Sequence, residues 1–392
     1  MPLGLYISVP FCRTKCTYCN FASDVFSRAV FEKYITRVCA EIAAAPETAR
    51  QMGGSFEWSA DSIYFGGGTP TLLDVTQMER LFVSIRQNCE VSRDAEITVE
   101  CAPGTLLPEK IEALARCGVN RVSLGVQSFV DREAASVGRL HKRDVVLDDI
   151  SRLRAAGISN INVDLIAGLP HQTLESWNES LDQLIATDIP HASIYMLEVD
   201  EDSRLGRELI TGGQKYHAHF VPDEDLTADL YEIACERLSA AGIQQYEISN
   251  FARGGFESRH NLKYWTRQPY LGCGVDAHSM LLAASGEGAV RFSTPDALDS
   301  YLSSTTYEQS SVSPEAAFQE EFFLGLRLNR GIDLAELAAR YGASLPAEHR
   351  TDLSELISNG LLHREGDVIH LTPRGRLLSN EVFERFISTT AV

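Results

Sequence analysis

The chain has 392 residues, 44% of them hydrophobic, and a formal net charge of -19. Uniform acidity repels phosphate backbones and excludes generic nucleic-acid binding, and no apolar run reaches the ~18 residues of a membrane span. The nine cysteines are odd in number, and "MPLGLYISVPF" lacks a basic n-region and a cleavage site, so the expectation is no signal peptide, no disulfide framework and a reducing cytoplasm.

The first half alternates strand-like and helix-like runs. Apolar, β-branched strand candidates are "LYISV" from Leu5, "SIYFGG" from Ser62, "EITVEC" from Glu96, "RVSLGVQ" from Arg121, "NINVDLIAG" from Asn160 and "ASIYMLEV" from Ala192. Amphipathic helices fall between them, starting at Phe31, at Val75 behind a capping Asp74, and at Pro108 with Gly118 past the end. Two more are "VVLDDISRLRAAG", ending at Gly157, and "LESWNESLDQLIATD" from Leu174. Six β-then-α units imply a parallel sheet with right-handed crossovers. A closed eight-unit barrel takes roughly 250 residues, so six units in about 200 predict a partial (β/α)6 barrel with its chemistry at the C-terminal strand ends.

Past Val199 the pattern changes, and a loop-rich stretch runs to Val221. The helix "EDLTADLYEIACERLSAAG" and the strand-like "QQYEISNFA" follow, then residues 252–280, which read as irregular. From Ser313 three helices, a hairpin turning at Gly366 and a last helix, "RGRLLSNEVFERFI", look like a small winged-helix module. The expected organisation is an α/β barrel over 1–220, an α+β extension over 221–312 and a helical, winged-helix-like module over 313–392. Arg374 and Arg376 are outnumbered there by Glu355, Glu365, Asp367, Glu381 and Glu384, so capping or protein docking is expected rather than DNA reading.

Cys12, Cys16 and Cys19 stand in Cys-x3-Cys-x2-Cys directly after the first strand, at the barrel mouth. Three thiolates select zinc, copper(I) or iron–sulfur. Zinc would need a distant histidine, and a four-iron cluster would keep one iron open to a non-protein ligand. One unit later, Gly66, Gly67, Gly68, Thr69 and Pro70 form either an ordinary turn or a backbone cradle for a ligand. Glu100, Gln127, Asp164 and the nearby Arg139 are polar residues at later strand ends, structural one by one or, as a set, suited to a zwitterionic, ribose-bearing ligand.

On these residues the chain resembles the radical S-adenosylmethionine (SAM) superfamily. "YISVPFCRTKCTYCNF", "GGGTPT", "LGVQSF", "VDLIAGLP", "YEISNFA", "HNLKYW" and "LTPRGRLLSNEVF" narrow the resemblance to the oxygen-independent coproporphyrinogen oxidase group, over nearly the whole chain. It implies a [4Fe–4S] cluster on Cys12, Cys16 and Cys19 whose open iron is chelated by SAM. It also implies SAM contacts from Tyr6, Gly67, Gly68, Thr69, Glu100, Gln127, Arg139 and Asp164. The group holds HemN oxidases and HemW haem chaperones. The oxidases carry an N-terminal extension, and a further cysteine where this chain has Phe21. "HNLKYW", His260–Trp265, marks the chaperones. Ser8 replaces the histidine usual in both, and "LEVDED" does not match the residues that hold a second SAM in the oxidases.

The resemblance therefore implies a haem chaperone: haem as cargo, acceptor proteins that include membrane-bound respiratory enzymes, and flavodoxin or ferredoxin as electron donor if SAM is cleaved. Oxidative decarboxylation of coproporphyrinogen III is the alternative. Residues 252–267 hold Arg253, Arg259, His260, Lys263 and Arg267 against one acid, Glu257, with Tyr264 and Trp265 beside them. They read as a porphyrin cradle in which His260 is either the axial ligand or a hydrogen-bonded structural histidine, with His278 a second candidate.

Overall fold

A computed structural model describes residues 1–55, 57–286, 288–342 and 349–387. In chain order the strands are β1 (Leu3–Val9), β2 (Gly54–Ser55), β3 (Ser59–Gly67), β4 (Glu90–Cys101), β5 (Arg121–Gln127), β6 (Asn160–Ala167) and β7 (His191–Met196). There follow β8 (Gln244–Gln245), β9 (Asn250–Ala252), β10 (Tyr270–Cys273), β11 (His278–Ala283), β12 (Ala289–Ser293) and β13 (Glu308–Val312). The sheet order is β13-β12-β11-β10-β1-β3-β4-β5-β6-β7-β9-β8, with β2 on β11.

The six predicted strands pair in parallel and in sequence order. They are buried on both faces, as β1 illustrates with Leu3, Leu5, Ile7 and Val9 all nearly inaccessible, which is why they read as continuous apolar runs. The intervening helices start where local chemistry starts them. Asp74 and Gln77 form a reciprocal capping box before Val75–Asn88, and Thr173 and Ser176 do the same before Leu174–Ala186. Gly118 supplies the left-handed residue, φ 81°, just past Pro108–Arg116.

Residues 252–280 are not irregular. They contain the helix Arg259–Trp265 and β10, which adds a seventh parallel strand against β1. Four residues are too short a run for periodicity to reveal. β11, β12 and β13 extend that side as an antiparallel meander, and β9 with β8 covers β7 on the other. The two ends do not pair with each other among the described residues, so the barrel is open. The predicted strand "QQYEISNFA" is the β8–β9 hairpin. The loop-rich stretch before Val221 holds the helix Arg204–Thr211.

At the C-terminus, helices Pro314–Arg327, Leu334–Tyr341 and Arg350–Ser358 pack with β14 (Ile332–Asp333), β15 (Leu362–Glu365) and β16 (Val368–Leu371). The wing has three strands rather than two, because Ile332 and Asp333 add to β16. The predicted last helix is two short ones, Pro373–Leu377 and Ser379–Glu384. This region has its own core around Phe318, Phe322, Leu326, Ile369 and Phe386, to which Ile248 contributes from the β8–β9 hairpin.

Candidate functional site

β1 ends with Val9 in register with Gly67 of β3. Beyond that point the two loops stay joined: Gly68 N–H donates to the Val9 carbonyl at 2.8 Å and Thr69 N–H to that of Phe11 at 2.8 Å. A Cβ on Gly68 would stand 2.8 Å from the Phe11 oxygen and 3.0 Å from Cys12 Sγ, so glycine is what lets the loops close. Phe11 anchors the junction from below, stacked on Phe31 at 3.7 Å. Across the mouth, Thr17 N–H donates to the Val137 carbonyl at 3.2 Å and the Thr14 hydroxyl to that of Gly138 at 2.9 Å. The cysteine loop is thereby strapped over the barrel from β3 to the segment after β5.

Cys12, Cys16 and Cys19 are reduced and half-buried. Burial pushes the Cys12 thiol up, while the Ser23 and Thr69 hydroxyls pull it down and Cys19 and Cys16 raise it further. Burial also raises Cys19, opposed by the Phe21 backbone and raised again by Cys16. Cys12 and Cys19 are thus reluctant to ionise, and a positively charged group beside them would offset that. Among the described residues no three His, Cys, Asp or Glu converge as the ligands of a single ion do. A multi-iron cluster gives each thiolate a different iron and does not require that convergence.

The other predicted residues gather beneath this loop. Tyr6 and Tyr64 stack at 6.1 Å, and the Tyr64 hydroxyl donates to Glu100 Oε1 at 2.7 Å. Burial pushes Glu100 up to about 7, with the Tyr64 hydroxyl opposing and Asp164 adding to the shift. Asp164 accepts from Asn162 Nδ2 at 2.6 Å and from the Ser123 hydroxyl at 3.1 Å, and burial raises it. Arg139 donates to the Tyr18 hydroxyl at 3.4 Å, while its Nε, closed off from solvent, has no partner. Gln127 stands on left-handed backbone, φ 68°, at an irregularity in the β5–β6 pairing that re-aims its side chain. Glu100, Asp164 and Tyr64 line one polar cavity with Ser123, Asn162 and Ser193.

Sequence reading missed several contributors. Tyr64, Asn162 and Ser193 point inward, and strand parity with Asp164 would have found Asn162. Gly125 is the other omission: a Cβ there would lie 3.1 Å from Arg139 Nη2 and 3.2 Å from Gln127 Nε2. A glycine inside "RVSLGVQ" was its signal. Three thiols, a glycine cradle, two buried carboxyls and an arginine nitrogen without a partner fit a metal cluster and a ligand of mixed charge.

His260 lies below these residues, its ring 5.2 Å from that of Tyr64 and 6.3 Å from that of Tyr6. Its Nδ1 is 3.0 Å from the Ser62 hydroxyl, its Nε2 is 2.9 Å from the Tyr264 hydroxyl, and its N–H donates to Glu96 at 3.1 Å. Ser62 is in register with Gly4 and Glu96 near the start of the sheet, roughly 13 Å of strand below Ser8. The helix Arg259–Trp265 is therefore the barrel floor. Burial, then Lys263, drives His260 down to about 3, so it is neutral, and iron ligation would require it to leave Ser62 or Tyr264.

The cations expected to form a porphyrin cradle over residues 252–267 are each paired with an acid from another segment. Arg253 pairs with Asp188 at 2.9 Å, Arg259 with Asp94 at 3.5 Å, Lys263 with Asp61 at 2.8 Å and Arg267 with Glu320 at 2.9 Å. His278 is exposed, with Nε2 3.6 Å from Asp276, close after the end of β10.

Comparison with known proteins places this geometry. The radical SAM superfamily model matches residues 6–184 and the HemN C-terminal domain model residues 312–378. The heme chaperone HemW of Bacillus subtilis is 34% identical over 97% of this chain and 98% of its own length. That of Escherichia coli is 32% identical over 99% and 98%. Among solved structures, the coproporphyrinogen III oxidase HemN of Escherichia coli superposes with a TM-score of 0.83 at 24% identity, covering 98% of this chain and 90% of its own, a likeness of fold. The chain belongs to the HemW family of radical SAM proteins.

Proposed function

We propose that the protein is a haem chaperone that holds a [4Fe–4S] cluster and SAM at the barrel mouth and delivers haem to acceptor proteins, respiratory enzymes among them. The carrying observation is the closure of the cysteine loop on Gly68 and Thr69 through two 2.8 Å backbone hydrogen bonds, in a chain related to heme chaperones along nearly its full length. Cys12, Cys16 and Cys19 would hold the cluster. Gly67, Gly68 and Thr69 would take the amino-acid end of SAM, with Tyr6 walling the site and Glu100, Gln127, Arg139 and Asp164 meeting the remaining polar groups. When bound, the cluster and SAM supply one-electron cleavage of a sulfonium carbon–sulfur bond.

The chain's own part is placement. Arg139 brings a cation to the ligand's carboxylate, and the buried carboxyls of Glu100 and Asp164 bring acceptors into a water-poor cavity where each interaction is strengthened. Electrons would come from flavodoxin or ferredoxin, and the working compartment would be the cytoplasm. No helix of the described residues is long and apolar enough to cross a membrane, so a membrane-bound acceptor would be met from outside the bilayer.

The test is anaerobic reconstitution with iron and sulfide, followed by spectra on adding SAM and then haem. Cluster absorption, its change with SAM and stoichiometric haem binding without turnover are the expected results. Conversion of coproporphyrinogen III to protoporphyrinogen by the reduced protein would overturn the chaperone reading in favour of an oxidase.

A further inference from the structure

Above the ends of β5 and β6, on the rim of the mouth, lies a group of side chains that the SAM site does not use. Arg132 Nη2 donates to His171 Nδ1 at 3.1 Å, and His171 Nε2 lies 3.3 Å from His217 Nδ1. The rings of His171 and His219 flank Phe220 at 4.0 and 4.1 Å. His219 is exposed, and Phe220 is 45% exposed although it is large and apolar.

The loop is built to hold this arrangement. The buried Glu208 carboxylate accepts three of its backbone N–H groups, from Lys215 at 2.9 Å, Tyr216 at 2.8 Å and Ala218 at 3.1 Å. His171 N–H donates to the Phe220 carbonyl at 2.9 Å. Both members of the imidazole pair stand on left-handed backbone, His171 at φ 70° and His217 at φ 63°, a conformation unfavourable for a residue with a Cβ. Strain kept at two adjoining histidines points to use rather than to packing.

The hydrogen bonds fix the protons. An arginine only donates, so His171 Nδ1 accepts and its Nε2 carries the hydrogen that goes to His217 Nδ1. His217 is then left with an N–H at Nε2. Burial, then Arg132 and the two neighbouring imidazoles, holds His171 below its ordinary value. Arg132 and the His217 N–H are donors suited to carboxylates, the half-exposed Phe220 adds apolar area at its outer edge, and His219 accepts no hydrogen bond from any described residue.

We propose that the haem cargo docks on this rim, with its iron on His219, its propionates on Arg132 and His217, and the exposed edge of Phe220 beside the macrocycle. The proposal rests on the reading of the protein as a haem carrier. The rim also offers haem a cation, Arg132, that pairs with no acid among the described residues, whereas those of residues 252–267 are already paired with acids.

Haem is titrated into the full-length protein and into His219→Ala, reading the Soret band, the ferric electron paramagnetic resonance spectrum and the dissociation constant. Circular dichroism and bound iron–sulfur serve as fold controls, and a substitution at the exposed His219 should leave both unchanged. The expected result is loss of the wild-type spectrum and a fall in affinity of about ten-fold or more. Arg132→Ala should keep the spectrum but bind haem no better than wild type binds haem dimethyl ester, which lacks free propionates. Wild-type spectrum and affinity in His219→Ala would overturn the site and leave the chaperone reading standing. Failure of the wild type to bind haem at all would remove that reading, and the site with it.

Discussion

The guanidinium of Arg327 lies 4.2 Å from the centre of the Trp265 ring, and its Nη2 pairs at 3.3 Å with Glu247, which is wholly buried. Trp265 ends the floor helix and Arg327 ends the first helix of the C-terminal region, so one side chain ties the two together. Arg327→Ala would strand a buried carboxylate without its countercharge, a change that costs about 3 kcal/mol. We expect a lower unfolding midpoint and earlier proteolytic cleavage of the C-terminal region. An unchanged midpoint in Arg327→Ala would show that the contact carries no stability.

Gly68→Ala tests the closure at the mouth. The added Cβ would meet the Phe11 oxygen and Cys12 Sγ, both within 3.0 Å, so the cysteine loop must shift away from the glycine loop. Gly254→Ala is the control, because nothing lies within 4 Å of a Cβ there. The expected outcome is weaker SAM binding by Gly68→Ala in isothermal titration, with the control matching wild type. Equal affinity in both variants would mean that the loops close without needing a glycine.

The barrel was legible because its strands are long, apolar on both faces and separated by helices with readable caps. β10 was not, since four residues between turns carry no period. Within the site, the cysteines and glycines follow local spacing and were visible, whereas Tyr64 and Asn162 matter through partners on neighbouring strands. The floor shows the sharper limit. Arg253, Arg259, Lys263 and Arg267 look uncompensated along the chain, yet Asp188, Asp94, Asp61 and Glu320 reach each of them from distant segments. Local charge counting cannot see ion pairs made by the fold.

Glu100 predicts how the ligand-free protein responds to pH. Its carboxyl is held up at about 7, chiefly by burial, against an ordinary value near 4.5. The unfolded chain therefore loses this proton first, and stability should fall as pH rises from about 4.5 to about 7, by at most roughly 3 kcal/mol. Glu100→Gln removes the titrating carboxyl. The difference in melting temperature between wild type and Glu100→Gln should accordingly shift against wild type across this window, and a pH-independent difference would refute the buried protonated carboxyl.

The cysteines give the most direct test of the metal site. Their loop is fixed by contacts that do not involve sulfur: the Phe11–Phe31 stack, the Cys12 N–H bond to the Asp24 carbonyl at 2.9 Å, and the straps at Thr14 and Thr17. Removing a single thiol should therefore spare the fold and remove a ligand. Cys12→Ala, Cys16→Ala and Cys19→Ala should each lose the iron–sulfur absorption and most bound iron after reconstitution, with circular dichroism unchanged. Cys39→Ser should keep both, because Cys39 lies on the helix Arg28–Gln51, where its sulfur meets the Arg80 carbonyl at 3.9 Å and the Ser84 hydroxyl. Full iron content in any of the three alanine variants would take that residue out of the ligand set, and loss of iron in Cys39→Ser would mean that a different group of cysteines holds the cluster.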